Sequence, residues 1–156
     1  MRATVLAVSI GFLLACTSPR SVPDPKRETQ VRDAAVRYLL GRLATLPEPR
    51  PSTVCLLFDE SREPPAEFLR RFGREPTVMS MSRCREENAF VWIDTPGLVR
   101  EPFNRVSVGP VRWLGGSEAR VRLSGFWGRG TLRVSLRSGT WVGELEGSWR
   151  EEPDAV

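Results

Sequence analysis

The sequence predicts an α+β domain in which an amphipathic N-terminal helix packs on a curved antiparallel sheet that ends in a three-stranded meander. Two observations carry this. Apolar residues recur at helical spacing within residues 28–46, and two turn signals within residues 118–145 pair flanking segments so that one face is apolar throughout. Short apolar runs between these regions supply further strands.

From Glu28 to Leu46 the positions Val31, Ala34, Ala35, Tyr38, Leu39, Leu43 and Leu46 form one stripe with arginines elsewhere, and Pro47 stops the helix. "TVCLLF", Thr53 to Phe58, is apolar enough to be a buried strand, and "PPAEFLRRFG" begins a short helix with proline and ends it with Gly73. "TVMSMSRC" follows as another extended segment ending at Cys84. "NAFVWI" (residues 88–93) and "VSVGPVRWL" (106–114, bent at Gly109-Pro110) are further strands.

In the last third, a two-residue loop at Gly128-Arg129 would set Leu123 opposite Val134, Val121 opposite Leu136, Arg122 opposite Ser135 and Ser124 opposite Arg133. A turn at Ser138-Gly139 pairs Leu136 with Trp141, Leu132 with Leu145 and Arg133 with Glu144. Both turns give the same inward face: Val121, Leu123, Leu132, Val134, Leu136, Trp141 and Leu145. The helix packs on that face.

A helix followed by such a curved sheet, closing on "GTWVGELEGSW", resembles the NTF2-like and cystatin-like α+β group. The resemblance brings no catalytic motif. What it implies is the possibility of a small-molecule pocket between helix and sheet, binding or even enzymatic, as the alternative to a filled core.

The N-terminus carries a different signal. Arg2 precedes an apolar run from Val5 to Ala15, too short for the roughly 20 residues of a membrane span but fitting the core of an export signal. Leu13-Leu14-Ala15-Cys16, followed by the polar, proline-rich "TSPRSVPDPKRE", resembles the lipobox of bacterial lipoproteins. The resemblance implies removal of residues 1–15, acylation of Cys16 (the palmitate-bearing position) and anchoring in a membrane. Thr17 stands where Gram-negative lipoproteins kept in the inner membrane carry aspartate, so the resemblance points to the cell outer membrane. The implied organisation is a signal peptide at 1–15, a flexible tether at 16–27, one α+β domain at 28–150 and a tail at 151–156.

Of the 3 cysteines, acylation of Cys16 leaves the pair Cys55 and Cys84. In an oxidising compartment these are expected to form a disulfide bond; two buried thiols are the alternative. A catalytic cysteine lacks a base, because the chain has 0 histidines, and the same absence removes the usual zinc ligand sets.

All but one of the 23 basic residues are arginine, and the net charge of +4 is small. Acids such as Glu118, Glu144 and Glu146 are mixed among the arginines, which argues against a nucleic-acid partner. Arg120, Arg122, Arg133 and Arg137 should project from the outer face of the meander, as a possible anion-binding face for an envelope polymer. "FVWIDTPG" (90–97) resembles the Asp-Thr-Pro-Gly segment of GTPases, but the one lysine, Lys26, lies in the tether and no phosphate-cradling loop accompanies it. "GFWGRG" precedes a strand rather than a helix and reads as a hairpin. Glu144 and Glu146 share a strand face, but Glu144 should pair with Arg133. No catalytic residue, metal site or cofactor emerges. The expected activity is binding or scaffolding by a lipid-anchored envelope module, with the membrane and an envelope protein or anionic polymer as partners.

Overall fold

A computed structural model describes residues 24–45, 50–73, 76–89, 92–93, 101–102, 104–125 and 128–150. The signal and lipobox region, including Cys16, most of the tether, Leu46, Trp127, most of "FVWIDTPG" and the tail lie outside them. Helix α1 spans Pro25–Leu43. Asp24 caps it, accepting a hydrogen bond from the Lys26 backbone N–H at 2.9 Å, and Pro25 occupies its first turn. The Pro25-Lys26-Arg27 segment expected in the tether is therefore helical: an Asp-Pro pair is a start signal as well as a linker signature.

The strands are β1 (Thr53–Phe58), β2 (Thr77–Ser80), β3 (Trp92–Ile93), β4 (Glu101–Pro102), β5 (Arg105–Val108), β6 (Arg112–Gly115), β7 (Glu118–Gly125), β8 (Gly128–Arg137) and β9 (Thr140–Leu145), with short helices α2 (Ala66–Leu69) and α3 (Met81–Glu86). One curled sheet runs β2-β1-β5-β7-β8-β9 with β6 also on β7, and β3 pairs β4 separately. The fold is α+β, but the sheet is mixed rather than antiparallel, because β1 pairs in parallel with both β2 and β5. The reason lies in burial. β1 is covered on both faces, as strands in parallel pairing usually are. Val54, Leu56 and Phe58 face α1 and α2, while Cys55 and Leu57 face α3.

On α1, Val31, Ala34, Ala35, Leu39 and Leu43 of the expected stripe are buried against Val106, Val108, Ala119, Val121, Leu123, Leu132 and Val134, while Tyr38 is only partly buried and Val36, outside that stripe, is buried too. Trp113, Trp141, Leu145 and Trp149 pack at its margin.

The β8–β9 register agrees with the Ser138-Gly139 turn: Leu136 faces Trp141, Leu132 faces Leu145 and Arg133 faces Glu144. Both turn residues have the positive φ of a type I′ hairpin, 49° and 82°. The β7–β8 register differs from expectation. Gly125 pairs with Gly128, so Leu123 lies opposite Gly130, Val121 opposite Leu132, Arg122 opposite Thr131 and Ser124 opposite Arg129. The slip is an even number of residues, so the same side chains still face inward. Leu136, left without a β7 partner beyond Glu118, is exposed rather than buried.

The glycines that suggested a turn at Gly128 have another use. A Cβ on Gly128 would lie 2.2 Å from the Arg150 carbonyl oxygen, and one on Gly130 would lie 2.7 Å from the Trp149 ring. They admit the returning Trp149-Arg150 segment, which bridges back to Arg129. Gly128→Ala, at φ 121°, is expected to release that segment and cost about 1–2 kcal/mol, because the closing segment can swing away. Chemical denaturation, read against Gly139→Ala, checks this: Gly139 has positive φ but open space around it.

Candidate functional site

Cys55 and Cys84 form a disulfide with a Cα–Cα distance of 5.9 Å. Cys84 lies on α3, where Ser80 caps the helix, rather than at the end of a strand. The bridge therefore pins a short helix to the outer face of β1. Met81, Leu57, Met79 and Ala89 complete this small cluster. Beside it, the side-chain amide of buried Asn104 donates to the Ala89 carbonyl at 2.8 Å, while the Asn104 backbone carbonyl accepts from the Cys55 N–H at 2.9 Å.

The four arginines of the outer face are where the sequence places them, exposed on β7 and β8. Arg112, Arg120 and Arg133 are directly opposite one another across β6, β7 and β8. Three of the four are ion-paired: Arg120 with Glu146, Arg133 with Glu118, and Arg137 with Glu144 at 2.6 Å. Glu144 thus faces Arg133 in register but pairs with Arg137. A shallow depression of about 370 Å³ lies here, lined by Ser117, Glu118, Arg133, Ser135, Leu136, Arg137 and Glu144. Arg122 has no such pair among the described residues. The arrangement is a charge-alternating surface in which three of the four arginines each hold a neighbouring carboxylate.

A second cluster was not legible in the sequence. Arg32, on the buried side of α1, is 4% exposed. Its guanidinium donates to Glu28 at 2.9 and 3.0 Å, to both Asp59 oxygens at 3.0 and 3.1 Å, and to the Val108 and Gly109 carbonyls at 3.3 Å. It also stacks 4.5 Å over the Phe58 ring. Asp59 and Glu60 sit at φ 50° and 70° in a tight turn closed by Ser61 N–H to Phe58 C=O at 3.1 Å. Arg62 pairs with Asp59 at 2.7 Å, giving two cations and two carboxylates that neutralise each other. This joins the ends of β1 and β5 to α1. The i,i+4 pair Glu28–Arg32 was the available signal, but such pairs are usually solvent-exposed.

The third cluster lies at the start of α1. Trp113 and Trp141 meet edge to face at 5.8 Å, the Arg27 guanidinium lies 5.8 Å from each ring, and the Trp141 indole donates to Gln30 at 3.2 Å. These two tryptophans, like Trp149, pack on the core rather than forming an open stacking platform. No described helix is long and apolar enough to cross a membrane, and no described group of three or more carboxylate or cysteine residues is placed to hold a metal. Comparison of the chain with protein-family models, curated proteins and solved structures yields no match.

Proposed function

We propose that the chain is a lipid-anchored bacterial cell-envelope protein whose domain works by non-catalytic binding or scaffolding. The observation that carries this is the Cys55–Cys84 bridge. It consumes two of three cysteines in a bond that persists outside the cytoplasm, and leaves Cys16, behind its short apolar run, as the acyl acceptor. One acyl chain holds a protein only marginally, so a di- or triacylated Cys16 is the anchor the reading requires.

Two features favour binding over catalysis. The space between α1 and the sheet is filled by Val31, Ala35, Leu39, Val121, Leu132 and Val134, where an NTF2-like pocket would need room. The carboxylates that suggested acid–base work, Glu144 and Glu146, are engaged by Arg137 and Arg120. The outer arginine face is the binding surface this reading offers to an envelope protein or anionic polymer.

Cys16→Ala tests the anchor. The parent protein is expected to partition into detergent and to carry the mass of a lipidated N-terminal cysteine, and the variant to lose both. Unchanged partitioning and mass in the variant would refute the anchor. Membrane fractionation checks the address: the parent is expected in outer-membrane fractions and Thr17→Asp in inner-membrane ones.

A further inference from the structure

We infer that the end of the sheet carrying the β6–β7 and β8–β9 turns is the surface this domain lays against a phospholipid bilayer, an inference that rests on Cys16 being the lipid anchor. The large apolar side chains left exposed among the described residues are Leu114 (47%), Leu136 (38%) and Val142 (37%). Scattered singly they would mean little. All three lie toward one end of the sheet: Leu114 precedes the turn at residues 116–117, and Leu136 and Val142, which strand alternation puts on opposite faces, flank the turn at Ser138-Gly139. The two turns are held together, the Leu136 N–H donating to the Ser117 carbonyl at 2.9 Å.

The described chain begins at the same end. Arg27 donates to the Gly116 carbonyl, and Gln30 holds the Trp141 indole, so the first turn of α1 is fastened to these two turns. Residues 16–24 can reach at most roughly 30 Å fully extended. The far end of α1 is about 28 Å away along its 19 residues. A lipid on Cys16 therefore holds this end within about 30 Å of the bilayer, and presenting the other end would require the connecting residues to run almost fully extended along the helix.

The chemistry of the surface fits headgroups. Lys26, Arg112 and Arg137 are exposed on the start of α1, β6 and β8, with Glu118 and Glu144 beside Arg137. Arg112 has no ion pair among the described residues and stands opposite Arg120, in line with Arg133. Glu146 and Glu118 already compensate Arg120 and Arg133, so Arg112 is the cation of this row that a lipid phosphate would take. Apolar side chains that reach the headgroup boundary beside arginines are the composition of interfacial binding.

The test uses full-length lipidated protein with one added thiol, Val142→Cys, or Ser117→Cys as a second reporter, and Thr45→Cys at the far end of α1 as control. Each carries a polarity-sensitive fluorophore in vesicles of phosphatidylcholine and phosphatidylglycerol. Docking predicts a blue-shifted emission shielded from aqueous iodide at 142 and 117 and neither at 45, with the shift lost in Leu114→Ser/Leu136→Ser. Equal emission at all three positions in sedimented vesicles overturns the docking and leaves the anchor standing. A blue shift at 142 that persists in Cys16→Ala supports the docking as a property of the turns themselves, and absence of lipid mass on the parent's Cys16 overturns the anchor. Failure to sediment with vesicles overturns both. A shift that appears only with an added envelope protein or polymer, and not with lipid alone, overturns the bilayer as occupant.

Discussion

Replacing Cys55 and Cys84 together by alanine is expected to lower stability by roughly 3–4 kcal/mol, the chain-entropy value for a loop of the observed separation of 29 residues. For a domain of this size that is a fall in melting temperature on the order of 10–15 °C. The loss should be uneven. Six-residue α3 is far below the length at which an isolated helix holds itself, and few side chains besides the bridge attach it to β1. Helix α1 buries its stripe in the main core and has its own cap. Hydrogen exchange of the double variant should therefore show Met81–Glu86 amides losing protection while Val31–Leu39 amides retain theirs. Alanine is the informative replacement, because serine would add buried hydroxyls at two fully enclosed positions. A fall below about 1 kcal/mol, or equal loss in α1 and α3, would mean that the bridge records proximity without holding the helix.

The sequence disclosed those parts of the fold whose cause is local. Spacing alone pointed to Val31, Ala35, Leu39 and Leu43 of α1, but not to Val36, whose burial depends on contacts across the fold. The β8–β9 register follows from Ser138-Gly139, because Gly139 serves only the turn: nothing lies near enough to its backbone to give the glycine a second purpose. The β7–β8 register was misread for the converse reason. Gly128 and Gly130 are small to admit Trp149 and Arg150, a contact no local rule contains. The parallel pairing of β1 was hidden likewise, since "TVCLLF" announces burial on both faces but not the direction of its neighbours. Cysteine parity identified the bridge, yet the helix carrying Cys84 was masked by β-branched and methionine residues just before it. At the candidate site, the outward direction of Arg120, Arg122, Arg133 and Arg137 was legible from alternation. Their ion-pair partners were not: long side chains reach diagonal neighbours, as Arg137 reaches Glu144 instead of the Thr140 opposite it.

Arg32 is the residue whose role the sequence concealed most fully, and its replacement should have the second large effect. Arg32→Met keeps the stem that lies over Phe58 but removes every donor to Glu28, Asp59 and the Gly109 carbonyl. Breaking a buried charge network by removing one partner commonly costs about 3–5 kcal/mol. Here Glu28 and Asp59 are about a third exposed, at 34% and 31%, and Arg62 still pairs with Asp59, so the survivors can be hydrated and partly neutralised. The expected loss is therefore smaller, about 2–3 kcal/mol. Arg32→Lys should recover little of it, because an ammonium cannot meet two carboxylates and two carbonyls set in different directions around a planar fork. Arg62→Ala is the internal control: it touches the same Asp59, but its side chain is 57% exposed, and removal of such a pair is expected to cost under about 1 kcal/mol. Denaturant unfolding of the three variants separates the explanations. If Arg62→Ala costs as much as Arg32→Met, burial is not what makes the network matter, and the strained Asp59-Glu60 turn, which both arginines support, carries the stability instead. If Arg32→Lys matches the parent, charge alone suffices and the directional hydrogen bonds that join α1 to the ends of β1 and β5 contribute little.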